Sequence, residues 1–142
     1  MKTQNYANHA RLVPLYHGVA LLGALILLVG SVVNFFKSTN DNSYDASLLV
    51  LVALLLLLVA YFTRAFSLKA QDRAIRAEEN FRHYVLTGKP LDGNLSIAQI
   101  VGLRFASDEE FPELAKKALS DKLSAKEIKK SIKNWKPDTY RV

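Results

Sequence analysis

The sequence predicts an all-α membrane protein: a two-helix transmembrane hairpin, with the second span extended into the cytoplasm, followed by a small helical C-terminal tail. Three observations predict this fold class. Residues 15–36 and residues 46–63 contain no formally charged side chain. A short polar connector separates these two apolar runs. Beyond them the chain is polar or amphipathic, and helix-capping patterns recur in its last third.

The first span is predicted at residues 15–36, after a polar segment at residues 1–14 that we expect to be cytoplasmic. At 1.5 Å per residue the span is roughly 33 Å long, which is enough to cross a hydrocarbon core of about 30 Å. Pro14 suits the first turn of a helix, where its missing N–H does no harm. The run is too long for a signal-peptide core and no small-x-small cleavage pattern follows it, so we expect an uncleaved signal anchor.

The second span is predicted at residues 46–66, after a periplasmic connector at residues 37–45. The connector is short and rich in turn-forming residues, so the two spans must be antiparallel neighbours. The alternative is a pair of core helices in a soluble protein. Such helices need cover on every side, and the remaining tail of roughly 75 residues is too small to provide it.

The orientation of the hairpin is predicted from the basic residues beside the spans. The connector holds only Lys37, whereas several basic residues lie on the other side of both spans. These residues are Lys2, Arg11, Arg64, Lys69, Arg73 and Arg76. Because positive charge is retained in the cytoplasm, both termini are expected to be cytoplasmic.

A juxtamembrane cytoplasmic helix is predicted at residues 67–88, because no Pro or Gly interrupts the chain before Gly88. Two acid-before-base pairs, Asp72–Arg76 and Glu78–Arg82, have the i,i+4 spacing that suits an exposed helix. A narrow apolar stripe also recurs at helical spacing. It is expected to dock either on the core of the tail or on a partner, and it consists of Ala70, Ala74, Ala77, Phe81 and Val85.

The basic tail at residues 89–142 is predicted to form three short helices. Three capping boxes begin them, at Ser96-x-x-Gln99, Ser107-x-x-Glu110 and Ser124-x-x-Glu127. The third helix is expected to present Ile128, Ile132 and Trp135 on one face and lysines on the other. A bundle this thin is expected to depend on the juxtamembrane helix, the membrane surface or another protein for its stability.

The chain resembles a family of small, uncharacterised bacterial inner-membrane proteins found largely in the Bacteroidetes. The resembling stretches are QNYANH at residues 4–9, LKAQDRAIRAEENFRHYVLTGKPLD at 68–92, GLRFASDEEFPELAKKA at 102–118 and EIKKSIKNWKPDTYR at 127–141. The resemblance implies a bacterial origin, two spans and an inner-membrane location. It implies no known activity.

Two sets of residues are predicted to bind other molecules. The partner-binding set includes Trp135 and four residues of the juxtamembrane stripe, Ala70, Ala74, Ala77 and Phe81. It also includes a small-residue face of span one, for which span two is the simplest partner and another protein the second: Ala20, Gly23, Ala24, Gly30 and Ser31. The lipid-headgroup set is Lys126, Lys129, Lys130, Lys133 and Lys136. The alternatives for these lysines are a solvated face, an acidic partner or RNA, and we expect no nucleic-acid partner.

No catalytic, metal or cofactor site is predicted. The chain has no cysteine, which excludes disulfides, thiolate zinc sites and iron–sulfur clusters. His9, His17 and His83 lack a second ligand at suitable spacing on their own elements, and we interpret them as interface or surface residues. The acidic run at residues 108–110 is interpreted as the start of a helix, where the helix dipole favours carboxylates.

Three functional hypotheses remain. The leading one is a non-enzymatic accessory or adaptor subunit of a larger inner-membrane complex, whose partners are membrane lipids and other membrane subunits or copies of itself. The second is a self-assembling membrane-surface protein whose basic tail binds anionic lipid. The third, ranked below both, is a cofactor-bearing enzyme or transport component. It ranks last because neither span has an ionisable residue near mid-bilayer.

Overall fold

The computed structural model describes residues 4–10 and 12–138, and this part of the chain is helical without a strand. A π-helical turn at Leu15–Ala20 leads into α1 at Leu21–Lys37. The other helices are α2 at Ser43–Thr87, α3 at Ile97–Leu103, α4 at Phe111–Ser120 and α5 at Ala125–Ser131. The described residues form two compact units, a hairpin unit at 12–67 and a C-terminal unit at 4–10 and 68–138.

The hairpin unit exposes most of its apolar surface. The helices Leu15–Lys37 and Ser43–Thr87 are both long and apolar enough to cross a membrane. Only 6% and 11% of the residues in their most apolar windows are buried, whereas a core helix of a soluble protein is mostly buried. Exposed leucine, valine and phenylalanine side chains at this density need a cover other than water.

The hairpin packs through small side chains. Ser31 of α1 is buried, and so are Ala46 and Ala53 of α2. The Tyr16 hydroxyl donates a hydrogen bond of 2.5 Å to the carbonyl oxygen of Ala60. Ala46, Ala53 and Ala60 recur every seven residues, so they share one face of α2. The sequence pattern did not single out this face, because three alanines are inconspicuous among the leucines of span two.

The C-terminal unit has a core of its own. The side chains of Leu103, Phe105, Phe111 and Ile128 are fully buried, and Ile75 brings α2 into the same cluster. Helices α3 and α5 pack at Gly102, where an added Cβ would lie 3.2 Å from the Ala125 carbonyl oxygen and 3.3 Å from Ile128 Cγ2. A side chain at Gly102 would therefore require α5 to shift by a few tenths of an ångström.

Two of the three predicted capping boxes are confirmed. Ser96 with Gln99 caps α3, and Ser124 with Glu127 caps α5, each with both reciprocal hydrogen bonds. The box at Ser107 is wrong, because α4 begins at Phe111 after a turn. The reason is Pro112, which lacks an N–H and is tolerated only in the first helical turn. A helix capped by Ser107 would place this proline in its interior.

The third predicted helix is shorter than expected. Helix α5 ends at Ser131, and Ile132 has an extended backbone with ψ of 123°. The chain then pairs with the segment after α3: the Ser107 N–H donates to the Asn134 carbonyl at 3.1 Å, and the Lys136 N–H donates to the Phe105 carbonyl at 2.7 Å. This long-range pairing competes with the helix for the same backbone groups. Lys133, Trp135 and Lys136 therefore lie outside α5.

Candidate functional site

Arg82 joins α2 to the segment between α3 and α4. Its guanidinium forms ion pairs with Glu79 at 2.9 Å and with Asp108 at 2.6 Å. It also donates a 2.7 Å hydrogen bond to the Ala106 carbonyl and lies 4.4 Å from the centroid of the Phe111 ring. Glu79 is buried on α2, so this arginine supplies the charge partner that its carboxylate needs. Arg82 therefore pairs with Glu79, three residues before it, and not with Glu78, four residues before it, as the i,i+4 spacing predicted.

The Arg82 ion pair makes the C-terminal unit sensitive to acid. The hydrogen bond from Arg82, helped by the nearby charge of Lys136, holds the pKa of Asp108 below its ordinary value of 3.8. A carboxyl whose pKa is lowered by folding stabilises the fold above its unfolded pKa and loses that contribution as the pH falls through the folded value. The side chain of Asp108 is 60% exposed, so solvent screening limits the contribution to less than about 1 kcal/mol.

We predict that Asp108→Asn lowers the thermal midpoint of the full chain at pH 7. The difference from the wild type should shrink as the pH falls from about 4 through the lowered pKa of Asp108, because the folded wild-type carboxylate becomes protonated over that range. Thermal unfolding of the detergent-solubilised chain, followed by the fluorescence of its single tryptophan, Trp135, measures the midpoint of each protein at pH 7 and at lower pH. Glu109→Gln, an exposed neighbour, is the control. An Asp108→Asn difference that persists unchanged at pH 3 would contradict the ion-pair explanation.

The predicted stripe on the C-terminal part of α2 faces away from the core. Phe81 is 68% exposed and Val85 is 65% exposed, and the three alanines of the stripe are exposed as well. The face that packs on the core instead carries Ile75 and Glu79. Docking of the stripe on the tail's own core is therefore wrong. The sequence interpretation passed over the buried face because its members include Glu79 and Arg82, which seemed to belong in solvent.

The predicted small-residue face of span one is divided between two environments. Ser31 is buried and Ala24 is half-buried inside the hairpin, whereas Ala20, Gly23 and Gly30 are exposed. A Cβ added at Gly23 or at Gly30 would meet nothing within 4 Å. These two glycines therefore do not serve the contact within the hairpin.

Trp135 lies within the C-terminal unit and not on an open helix face. Its ring stacks on Phe105 with 4.7 Å between centroids, and its indole N–H donates to the side-chain oxygen of Gln4 at 3.3 Å. The Gln4 amide also donates to the Asp138 carbonyl at 3.0 Å. The N-terminal segment at residues 4–10 thus packs on the chain after α5. The stretch at residues 4–9 carries part of the family resemblance, but its polar composition gave no indication that it packs on the chain after α5.

The five predicted headgroup lysines do not form one face. The Lys129 ammonium lies 3.1 Å from His9 Nε2 and 5.4 Å from the centroid of the Phe105 ring, and Lys136 lies 3.7 Å from an Asp108 oxygen. Lys126, Lys130 and Lys133 are exposed. Two of the lysines are thus engaged inside the unit. The remaining three do not make the continuous basic helix that the sequence suggested.

In the described part of the chain, two histidines and one glutamate contact polar backbone groups. His83 Nδ1 lies 2.8 Å from the Lys89 carbonyl, and His17 Nδ1 accepts the Val13 N–H at 3.1 Å. The Glu110 carboxylate accepts the backbone N–H groups of Lys133 and Asn134. Among residues 4–10 and 12–138, no three His, Asp or Glu side chains are grouped so that they could hold a metal ion.

A basic pocket lies beside the exposed stripe, and sequence reasoning did not predict it. It is a cavity of about 370 Å³ between α2 and the loop before α3. Its lining residues are Arg73, Arg76, Ala77, Asn80, Leu91, Asp92, Gly93, Leu95 and Ile100. The spacing of Arg73, Arg76 and Asn80 on one helix face was the available signal. The loop that closes the pocket could not be placed from sequence.

Comparison with known proteins gives a family and no function. A family model described as a family of unknown function, DUF6526, matches residues 1–142. No curated protein matches the chain, and no solved structure matches it.

Proposed function

This chain belongs to DUF6526, a family of unknown function, and we propose that it is a non-enzymatic accessory or adaptor subunit of a larger membrane protein complex. One observation carries the proposal: the C-terminal unit fills its core with one face of α2 and leaves the apolar stripe of the opposite face open. Phe81 and Val85 are more than three-fifths exposed on that stripe. An aromatic anchor beside aliphatic residues on a rigid helix is typical of a surface that receives another protein.

Tyr84 strengthens this interpretation. Its side chain is 55% exposed and lies three residues after Phe81, so the two rings are neighbours on the helix surface. Burial of side chains of this size contributes about 1.5–3 kcal/mol each. Tyr84 therefore adds to the exposed apolar surface that a partner would cover.

The hairpin is proposed to anchor the subunit in the bacterial inner membrane, with both termini in the cytoplasm. The apolar helices and their exposed surfaces support the anchor. The excess of basic residues before span one and after span two supports the orientation. The exposed glycines Gly23 and Gly30 would let a transmembrane helix of the partner approach α1 closely.

We predict that the partner is lost when the stripe is made polar. In a pull-down of the full chain from native membrane in mild detergent, Phe81→Ser combined with Val85→Ser should reduce recovery of the partner by about tenfold or more. A tenfold change in affinity corresponds to about 1.4 kcal/mol, which is less than the free energy gained by burying one such side chain. The matched control is Glu78→Ser, which changes an exposed polar residue of the same helix.

The outcomes of the pull-down separate the hypotheses. A defined partner in fixed ratio that is lost in the double variant and retained in the control supports the subunit. Recovery of this chain alone contradicts it. A homo-oligomer with bound acidic lipid would favour the membrane-surface function instead, with Lys126, Lys130 and Lys133 in contact with headgroups.

A further inference from the structure

The basic pocket is held open by contacts of its own walls. The Leu91 N–H donates a 2.9 Å hydrogen bond to the side-chain oxygen of Asn80, which fixes the loop to α2. Leu95 and Ile100, at 2% and 3% exposure, belong to the core of the C-terminal unit and form a rigid apolar floor. These contacts fix one wall and the floor of the pocket.

The positive charge of the pocket is only partly balanced by its own lining. Arg73 and Arg76 form no ion pair or hydrogen bond with any residue in the described part of the chain, and the predicted Asp72–Arg76 pair is not formed there. Asp92 is the acidic residue of the lining, and one oxygen of its carboxylate accepts the backbone N–H and the side-chain amide of Asn94 at 2.8 and 2.9 Å. These neutral donors do not cancel its charge, so two arginines and one carboxylate leave the lining with a net charge of +1, which favours an anion.

We infer that this pocket binds a phosphate ester through Arg73 and Arg76. A guanidinium donates two parallel hydrogen bonds to phosphate oxygens, and a phosphate has enough oxygens to accept from both arginines at once. The cavity of about 370 Å³ falls within the usual range of small-molecule sites. The floor of Leu91, Leu95 and Ile100 suits an apolar part of the same ligand.

Two sources supply this chemistry: the headgroup of an anionic phospholipid and a soluble phosphorylated metabolite. The site is independent of the proposed partner, because it requires the arginines and not the exposed side chains of Phe81 and Val85. Ala77 lines the pocket and also lies on the stripe, so a bound ligand would adjoin the partner surface.

The test is calorimetric titration of the full chain in maltoside detergent, which contains no phosphate. One arm uses dihexanoyl phosphatidic acid, the second uses glycerol 3-phosphate, and dihexanoylglycerol serves as the phosphate-free reference. Binding of a phosphate-bearing probe is expected, and R73Q/R76Q should weaken it by about tenfold or more because it removes both charge-assisted contacts. The matched control is K116Q/K117Q, which removes the same charge from an exposed part of α4.

Saturable binding of the lipid probe alone would identify a headgroup site that also requires the acyl chains. Binding of glycerol 3-phosphate at least as tight as that of the lipid probe would show that a soluble ester is sufficient. The inference is overturned if neither phosphate probe binds. It is also overturned if both double variants weaken binding equally, because general attraction to a basic protein would then be sufficient. Circular dichroism of R73Q/R76Q establishes that the fold is retained, as expected for two exposed side chains.

Discussion

Replacing Arg82 with methionine is expected to destabilise the C-terminal unit by about 3 kcal/mol, because the change leaves the Glu79 carboxylate buried without its charge partner. The side chains of Arg82 and Glu79 are 12% and 11% exposed. The Ala106 carbonyl loses its donor in the same variant. Chemical unfolding of the full chain in detergent, followed by Trp135 fluorescence, measures the loss.

Two further variants separate the buried charge from the loss of packing. Arg76→Met removes an exposed arginine from the same helix and should change the free energy of unfolding by less than about 0.5 kcal/mol. Glu79→Gln combined with Arg82→Met removes both charges and should regain part of the stability. An Arg82→Met loss no larger than that of Arg76→Met would show that Arg82 does not join α2 to the rest of the unit.

Phe111→Ala is expected to cost about 3–5 kcal/mol, the usual range for deletion of a buried aromatic side chain. Phe111 has no exposed surface, and its ring contacts the Arg82 guanidinium and the edge of His83. The deletion therefore leaves a cavity where α2 and α4 meet, and the same tryptophan-detected unfolding measures the cost.

The matched control for Phe111→Ala is Phe81→Ala, the same substitution at a ring that is 68% exposed on α2. Its effect should stay within about 0.5 kcal/mol of zero. Similar losses at the two positions would mean that Phe81 belongs to the core and is not available to a partner. This pair of variants therefore also tests the division of α2 into a packed face and an open face.

Local patterns were sufficient to predict much of the helical structure. The caps at Ser96 and Ser124 depend on residues three positions apart, and both are present. The end of α2 is equally local: Gly88 has a φ of +73°, a conformation that glycine adopts without strain, and its N–H donates to the Tyr84 carbonyl at 2.8 Å. Pro112 was also a local signal, and it overrides the capping pattern at Ser107.

The candidate surfaces were harder to predict because they depend on long-range contacts. Phe81 and Val85 were found by helical spacing, but spacing alone could not decide which face of α2 packs on the core. Burial of Glu79 requires Arg82, and Arg82 in turn requires Asp108 and Ala106 from a distant segment. The pocket is formed in the same way, by a loop whose position follows from the core.

The most direct test of the adaptor role is native mass spectrometry of the full chain purified from its own membrane in mild detergent. We expect an assembly in which this chain and a second protein occur in fixed ratio, and which dissociates when Phe81 and Val85 are both replaced by serine. A monomer or homo-oligomer that is identical in the wild type and the double variant would contradict it.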